Sequence, residues 1–244
     1  MRVFVKINHK RLPSNHNFFL AYKGFEEMGF EIEFFNDNLN PISKNDIVIG
    51  DVATSRLVLE KFDVKIEEFN YPSELMFCCK RKIWKSTINK IAMNPEAWPV
   101  FVKPVEDKLF AGRLVSSTKD LIGCGNENEN ENADIEIYCS EAVNFVSEYR
   151  CFVRYGKILD IRRYKGSYRS IPSYFLIERA VKNFKNAPNG YAIDFGVTDR
   201  GETLLIEVND GYALGSYGLF YVDYAKLLSA RWCQLMGTED KCNF

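Results

Sequence analysis

The sequence predicts a mixed α/β (α+β) fold, and three observations predict it. The first seventy residues place short apolar strands around a helix-like stretch, in the order that builds a parallel sheet. From about residue 100 onward, short segments rich in β-branched and aromatic residues dominate. One strongly patterned helix then closes the chain.

Residues 2–7 alternate charged and apolar side chains as a strand does, and residues 17–28 carry apolar side chains at helical spacing up to Gly29. Residues 30–35 read as a second strand, and Asp46-Ile47-Val48-Ile49-Gly50 as a third, continuously apolar as buried parallel strands are. Such sheets bind ligands beyond the carboxyl ends of their strands, so Gly50-Asp51 is a candidate ligand loop, although a tight turn is the favoured reading of a lone dipeptide. Asn70-Tyr71-Pro72-Ser73 reads as a linker, which divides the chain into a small α/β domain, residues 1–72, and a larger one, residues 73–244. A helix is expected over residues 74–93, with Arg81, Trp84 and Lys85 near its middle. Strands alone are expected after it, at residues 100–103, 135–139, 148–155, 157–164, 191–197 and 203–209, with hairpin turns at Tyr155-Gly156-Lys157 and residues 198–201. The alternating amides and acids of residues 126–132 have nothing to bury and read as a solvated loop. Residues 221–236 form the closing helix, with Tyr224, Leu227, Leu228, Arg231 and Leu235 on one face.

Composition narrows the function. With 46% hydrophobic and 27% charged residues, the 244-residue chain has material for a core and is not disordered. Thirty-two basic against thirty-three acidic residues leave no excess to neutralise a long phosphate backbone, so no nucleic-acid partner is expected. His9 and His16 are the only histidines, which disfavours histidine-based catalysis and paired-imidazole zinc sites. Seven cysteines, an odd number without a Cys-x-x-Cys pair, read as reduced thiols. No apolar run reaches the roughly eighteen residues of a membrane span, and charges interrupt the first residues, so a soluble cytoplasmic protein is expected.

Three segments carry chemistry. The first, residues 191–210, reads as an antiparallel ribbon in which Glu207 and Asn209 share a face. If residues 198 and 201 flank the turn, Asp194 lies opposite Leu205 and diagonal to Glu207, so two carboxylates and an amide oxygen converge. Carboxylates among Ile193, Leu205, Ile206 and Val208 are costly unless paired or metal-bound. Arginine pairing is the plain alternative; the convergence of oxygen donors favours a hard divalent cation. In the second, Lys103 ends an apolar strand fixed by Pro104, where its ammonium can meet a phosphate. Lys108 and the small Phe110-Ala111-Gly112 follow; no Walker motif is present, and such a lysine is otherwise a surface charge. In the third, Glu148, Arg150 and Phe152 share a face, and Asp160, Arg162 and Tyr164 share one on the next strand, with Arg163 opposite. Strand arginines facing a cleft suit bidentate anion binding, and cross-strand Glu148–Arg162 or Asp160–Arg150 pairs are the equal alternative.

In this order the segments resemble the ATP-grasp superfamily, and within it the R2K clade, named for two arginines and a lysine. The resembling stretches are Tyr71-Pro72, Arg81-Lys82-Ile83-Trp84, Phe101-Val102-Lys103-Pro104 with Lys108-Leu109-Phe110-Ala111-Gly112, Ser140-Glu141 with Glu148-Tyr149-Arg150, and Ile193-Asp194 with Ile206-Glu207-Val208-Asn209-Asp210-Gly211. The resemblance implies an ATP-grasp fold preceded by a small N-terminal α/β pre-ATP-grasp domain. It implies that Lys103 and Lys108 contact ATP phosphates under a loop ending at Gly112, and that Cys139, Ser140 and Glu141 form the adenine hinge. Glu148 would help hold the nucleoside, and Asp194, Glu207 and Asn209 would hold magnesium, or manganese in its place. Arg150, with Arg162 or Arg163, would steady the transferring phosphoryl group, Arg81 being a further candidate.

The activity implied is an ATP- and magnesium-dependent ligase that activates the carboxylate of a small acid, amino acid or peptide as an acyl phosphate, which an amine then attacks. Phosphoryl transfer needs positioning and charge neutralisation, which lysines, arginines and magnesium supply without a histidine or a cysteine nucleophile. A kinase acting on a hydroxyl and a nucleotide-binding module without turnover are the alternatives. Residues 211–218, rich in glycine and tyrosine, either border the acceptor pocket or merely connect to the last helix.

Overall fold

A computed structural model describes residues 1–36, 41–67, 69–105, 109–124 and 134–244. The chain forms two compact units: residues 1–78 together with 145–244, and residues 79–144.

In the first unit β1 (Arg2–Lys6) lies between β2 (Glu31–Phe35) and β3 (Ile47–Ile49), all parallel, with α1 (His16–Glu27) as the crossover. Ile47 to Ile49 are buried as their apolar run predicts, and Val3, Phe4 and Val5 are all buried too, so β1 is covered on both faces rather than alternating as expected. Gly50-Asp51 opens a helix rather than the bare turn expected. Asp51 caps α2 (Val52–Lys61), a helix the sequence pattern did not reveal, accepting the Thr54 N–H at 2.8 Å and Lys6 Nζ at 2.7 Å.

The helix expected over residues 74–93 is broken. A 3-10 turn (Ser73–Leu75) and the short α3 (Met76–Cys79) end at Lys80, whose φ is +47°. β4 (Ile83–Thr87) then takes the middle of the stretch, and Thr87 caps α4 (Ile88–Ala92). Ile83 to Thr87 pair in register with residues 136–140, a ladder that overrides a weak local helical pattern. The second unit is completed by β5 (Val100–Pro104), β6 (Arg113–Val115, also unforeseen) and β7 (Glu136–Glu141), in an antiparallel sheet ordered β4-β7-β5-β6. Its core holds Ile91, Val100, Val102, Val115, Ile137 and Cys139.

The larger antiparallel sheet belongs to the first unit. It contains β8 (Phe145–Arg154), β9 (Lys157–Gly166), β10 (Gly190–Thr198) and β11 (Thr203–Asp210), in the order β11-β10-β8-β9. Tyr155 and Gly156, both at positive φ, make the two-residue turn between β8 and β9 that matches strand twist. Strands are not alone here: α5 (Tyr174–Asn183) follows β9, capped by Ser173, with Ile177, Ala180 and Val181 buried. α6 (Tyr221–Met236) closes the chain over the expected residues and ends at Gly237 in the left-handed conformation. This helix joins the two ends of the unit. Trp232 Nε1 donates to Asp46 O at 2.9 Å, and α1 crosses so closely that a Cβ on Gly24 would lie 2.3 Å from Tyr221 O. No helix among the described residues is long and apolar enough to cross a membrane.

Candidate active site

Strand pairing in the larger sheet places four charged residues in one row. Glu207 on β11 is opposite Asp194 on β10, Asp194 is opposite Arg150 on β8, and Arg150 is opposite Arg162 on β9. Directly paired residues point to one face, so two carboxylates and then two guanidiniums cross the sheet side by side. The register differs from the simple hairpin expected. Phe195 pairs with Leu205, and the next pair is Asp194 with Glu207, because Ile206 is an extra residue that bulges β11. The bulge turns a diagonal relation into a direct one and sets two like charges face to face.

Asp194 lies on a strand whose every residue is buried, and it is itself 2% exposed. Arg150 grips it bidentately, Nε on Oδ1 at 2.8 Å and Nη2 on Oδ2 at 2.7 Å, and Asn209 Nδ2 reaches Oδ2 at 3.2 Å. The arginine pairing that the sequence left open is therefore realised, but with Arg150 rather than across to β9. Burial raises the Asp194 carboxyl above its ordinary pKa, with the facing Glu207 acting in the same direction and Arg150 opposing. Burial likewise works against the Arg150 charge, yet Asp194 more than offsets it and raises the arginine further.

A cation fits this donor set. Glu207 supplies a carboxylate, Asn209 a carbamoyl oxygen, and Asp194 Oδ1, with one acceptor in use, retains a lone pair; a hard ion takes such oxygens and would quench the repulsion between the facing carboxylates. Among the described residues no group of three or more His, Cys, Asp or Glu is gathered for a metal, so the amide is needed to complete the set.

The remaining residues of this sheet separate by face. Arg162 pairs with Asp160 along its own strand at 2.6 Å, and its Nε is buried without a hydrogen-bond partner among the described residues. Arg163 is exposed on the opposite face and donates to Gly166 O, so it does not join the row. Glu148 pairs with Lys165 at 2.6 Å and also accepts from the Tyr164 hydroxyl, so the cross-strand Glu148–Arg162 and Asp160–Arg150 pairs do not form. Tyr164 stacks on Tyr217 at 4.8 Å, and the Arg150 guanidinium lies 4.6 Å from the Tyr217 ring centre. The loop after β11 is thus tied to the row: Gly215 O accepts from Arg150 Nη1 at 3.5 Å.

In the smaller unit Lys103 on β5 and Lys85 on β4 are both Cα partners of Tyr138 on β7, so the three form a row of their own. The ammonium groups lie 5.8 Å and 5.2 Å from the Tyr138 ring centre, two cations on one sheet face. Lys85 was placed on a helix by the sequence pattern, and only pairing with β7 reveals it. Cys139 is buried in the core and laddered on both sides, with burial pushing its thiol up to about 11. Ser140 is buried, its hydroxyl donating to Glu141 O, while the Glu141 side chain accepts the Lys82 N–H at 2.9 Å. Gly112 is small for packing: a Cβ there would lie 2.7 Å from Phe101 Cζ. Lys108 and the loop of residues 126–132 lie outside the described residues. Arg81 donates to Cys79 O at 3.3 Å within this unit.

The architecture is that of the ATP-grasp fold. It resembles D-alanine–D-alanine ligase from Bacillus anthracis with a TM-score of 0.58 at 14% identity, over 97% of this chain and 99% of that one. It resembles D-cycloserine synthetase DcsG with a TM-score of 0.57 at 9% identity, over 95% of this chain and 100% of that one. The macrocyclase MdnC from Microcystis aeruginosa, bound with precursor peptide MdnA, gives 0.51 at 13% identity, over 93% and 99%. No curated protein matches the sequence. Residues 78–227, more than half of the chain, match the ATP-grasp domain of R2K clade family 2, and the chain belongs to that family.

Proposed function

We propose that the protein is an ATP- and magnesium-dependent carboxylate–amine ligase working through an acyl phosphate. The observation that carries this reading is the charged row Glu207–Asp194–Arg150–Arg162 in a member of an ATP-grasp family. The neighbours named as ligases and as a synthetase support it by fold. Residues 1–72 would be the small pre-ATP-grasp domain and residues 73–244 the ATP-grasp domain, with the protein acting in the cytoplasm.

The roles follow from the geometry within each unit. Glu207, Asn209 and Asp194 would hold magnesium, or manganese, which when bound neutralises phosphate oxygens. Lys103 and Lys85, on one face of the smaller sheet, bind the phosphates as point charges, with Lys108 adding a third, and Ser140 and Glu141 border the adenine. Arg162 is the second arginine in preference to Arg163 or Arg81, because it alone of the three shares the row with Arg150. Glu148 orients the Tyr164 ring beside Arg150. In the reaction the γ-phosphoryl group passes from ATP to the substrate carboxylate and ADP leaves. The amine then attacks the acyl carbon, inorganic phosphate departs, and the amine loses its proton to solvent.

Calorimetric titration of Mg·ATP tests the nucleotide role. Lys103→Ala is expected to weaken binding about tenfold or more, the loss of one charge-assisted hydrogen bond; unchanged affinity removes Lys103 from the site. Phosphorus NMR of the products tests the reaction: phosphate released only when an amine is present supports ligation, and a stable phosphorylated product defeats it.

A further inference from the structure

α5 turns Ile177, Ala180 and Val181 into the core and leaves its other face open to solvent. At helical spacing Tyr174, Phe175, Glu178, Arg179 and Lys182 form one stripe along that face, and all five are exposed. The outer face of a surface helix is ordinarily polar. Here its first turn carries Tyr174 at 56% exposure and Phe175 at 86%, with Ile171 exposed just before the helix. The apolar surface continues to one side: the Arg179 guanidinium lies 4.6 Å from the Phe77 ring centre, and Phe77 and Met76 of α3 are exposed as well. Clustered apolar side chains of this kind mark a surface that another molecule covers.

The charges on the stripe indicate what covers it. Among the described residues the side chains of Glu178 and Lys182 have no ion-pair or hydrogen-bond partner, and the Arg179 guanidinium has only the Phe77 ring. A stripe of one sign would repel its own copy, whereas this one runs from aromatic through acid to base along the helix. We infer that the outer face of α5 is a dimer interface, packed antiparallel on α5 of a second copy of this chain about a twofold axis midway between Glu178 and Arg179. A twofold contact must be self-complementary, and this register makes it so. Glu178 faces Arg179 of the second copy and Arg179 faces its Glu178, so two opposite-charge pairs form at the centre. The same axis sets Phe175 opposite Lys182, where the aliphatic stem can cover the ring and the ammonium can reach its face. Met76 and Phe77 widen the apolar part of the contact beyond the helix itself. The pairing stands or falls independently of the ligase reading.

Sedimentation equilibrium of the full-length chain reads the state of association, with melting by circular dichroism as the control for folding. The wild type is expected to sediment at twice the chain mass at about 100 μM. Glu178→Arg and Arg179→Glu each set like charges face to face at both symmetric contacts, and each should weaken dimerisation about tenfold or more. The double variant Glu178→Arg with Arg179→Glu restores opposite signs and should dimerise as the wild type does. Both side chains are exposed, so all three variants should melt as the wild type does. A wild type that stays monomeric overturns the interface. So do single variants that dimerise as well as the wild type, or a normally melting double variant that remains monomeric.

Discussion

Replacing Asp194 by asparagine removes the counter-charge of Arg150 while nearly keeping the shape of the side chain. The two side chains are 3% and 7% exposed, and the guanidinium spends two donors on the carboxylate. Asparagine would turn an N–H toward one of those donors and leave a cation buried without a partner. Breaking a buried pair from one side costs about 3–5 kcal/mol. At about 2–4 °C per kcal/mol for a chain of this size, Asp194→Asn is expected to melt roughly 6–20 °C below the wild type by circular dichroism. Neutralising Glu207 leaves the Asp194–Arg150 pair intact, whereas neutralising Asp194 breaks it. Glu207→Gln removes a like charge that faces Asp194, so its melting temperature is expected to stay level or rise. The double variant Asp194→Asn with Arg150→Met should recover most of the loss, since removing both charges of a buried pair is far cheaper than removing one. A melting temperature for Asp194→Asn within about 2 °C of the wild type would refute the pairing argument.

Asp46, buried and held by Arg2 and Ser43, gives an acid-side test: burial pushes its carboxyl up, but these donors more than offset that and bring it from 3.8 to about 2. A depressed pKa contributes stability above the unfolded value that is lost as pH falls through the folded one, so about 2 kcal/mol should disappear between roughly pH 4 and pH 2, and Asp46→Asn should flatten that part of the denaturation profile. Gly24→Ala should destabilise by about 1–3 kcal/mol, because the new methyl would meet Tyr221 O and Ala225 Cβ where α1 crosses α6; an unchanged denaturant midpoint would contradict that contact. All seven cysteines are buried, with Cys139 and Cys242 pushed up to about 11 and Cys151 to about 12, so DTNB should label the native protein slowly and the unfolded protein fully. Rapid native labelling would show that these thiols are reachable after all.

Much of the fold was legible where local pattern and tertiary environment agree. The run Ile47 to Ile49 is apolar because both faces of the strand are covered, and α6 buries Tyr224, Leu227, Leu228 and Arg231 of the expected face, with Leu235 half-buried. The failures share one cause. Ile83 to Thr87 become a strand only because residues 136–140 pair with them, some fifty residues further on, and no local pattern carries that information. The same holds at the site. Asp194, Glu207 and Asn209 were legible as a ribbon, but the bulge at Ile206 was not, and without it the two carboxylates sit diagonally. Lys103 was visible as a strand-end lysine, whereas Lys85 was hidden by its assignment to a helix.

The order of charges in the row also explains how such a site can exist before any ligand arrives. Four ionised groups on one sheet face would ordinarily be an expensive arrangement, least of all tolerable on a strand as buried as β10. Here the two central members, Asp194 and Arg150, neutralise each other at hydrogen-bond distance, so the buried part carries no net charge. The outer members, Glu207 and Arg162, lie toward the two edges of the sheet, where each is only half-buried. At about 4.8 Å per strand their backbones stand roughly 14 Å apart, negative at one end and positive at the other. In the proposed reading the acidic end draws the cation and the basic end draws phosphoryl oxygens, so a metal–phosphate chain would align along the row with one polarity. Exchanging the ends, as in Glu207→Arg with Arg162→Glu, conserves net charge but reverses that polarity. If it bound Mg·ATP as the wild type does, net charge rather than the order of the row would be what the sheet contributes.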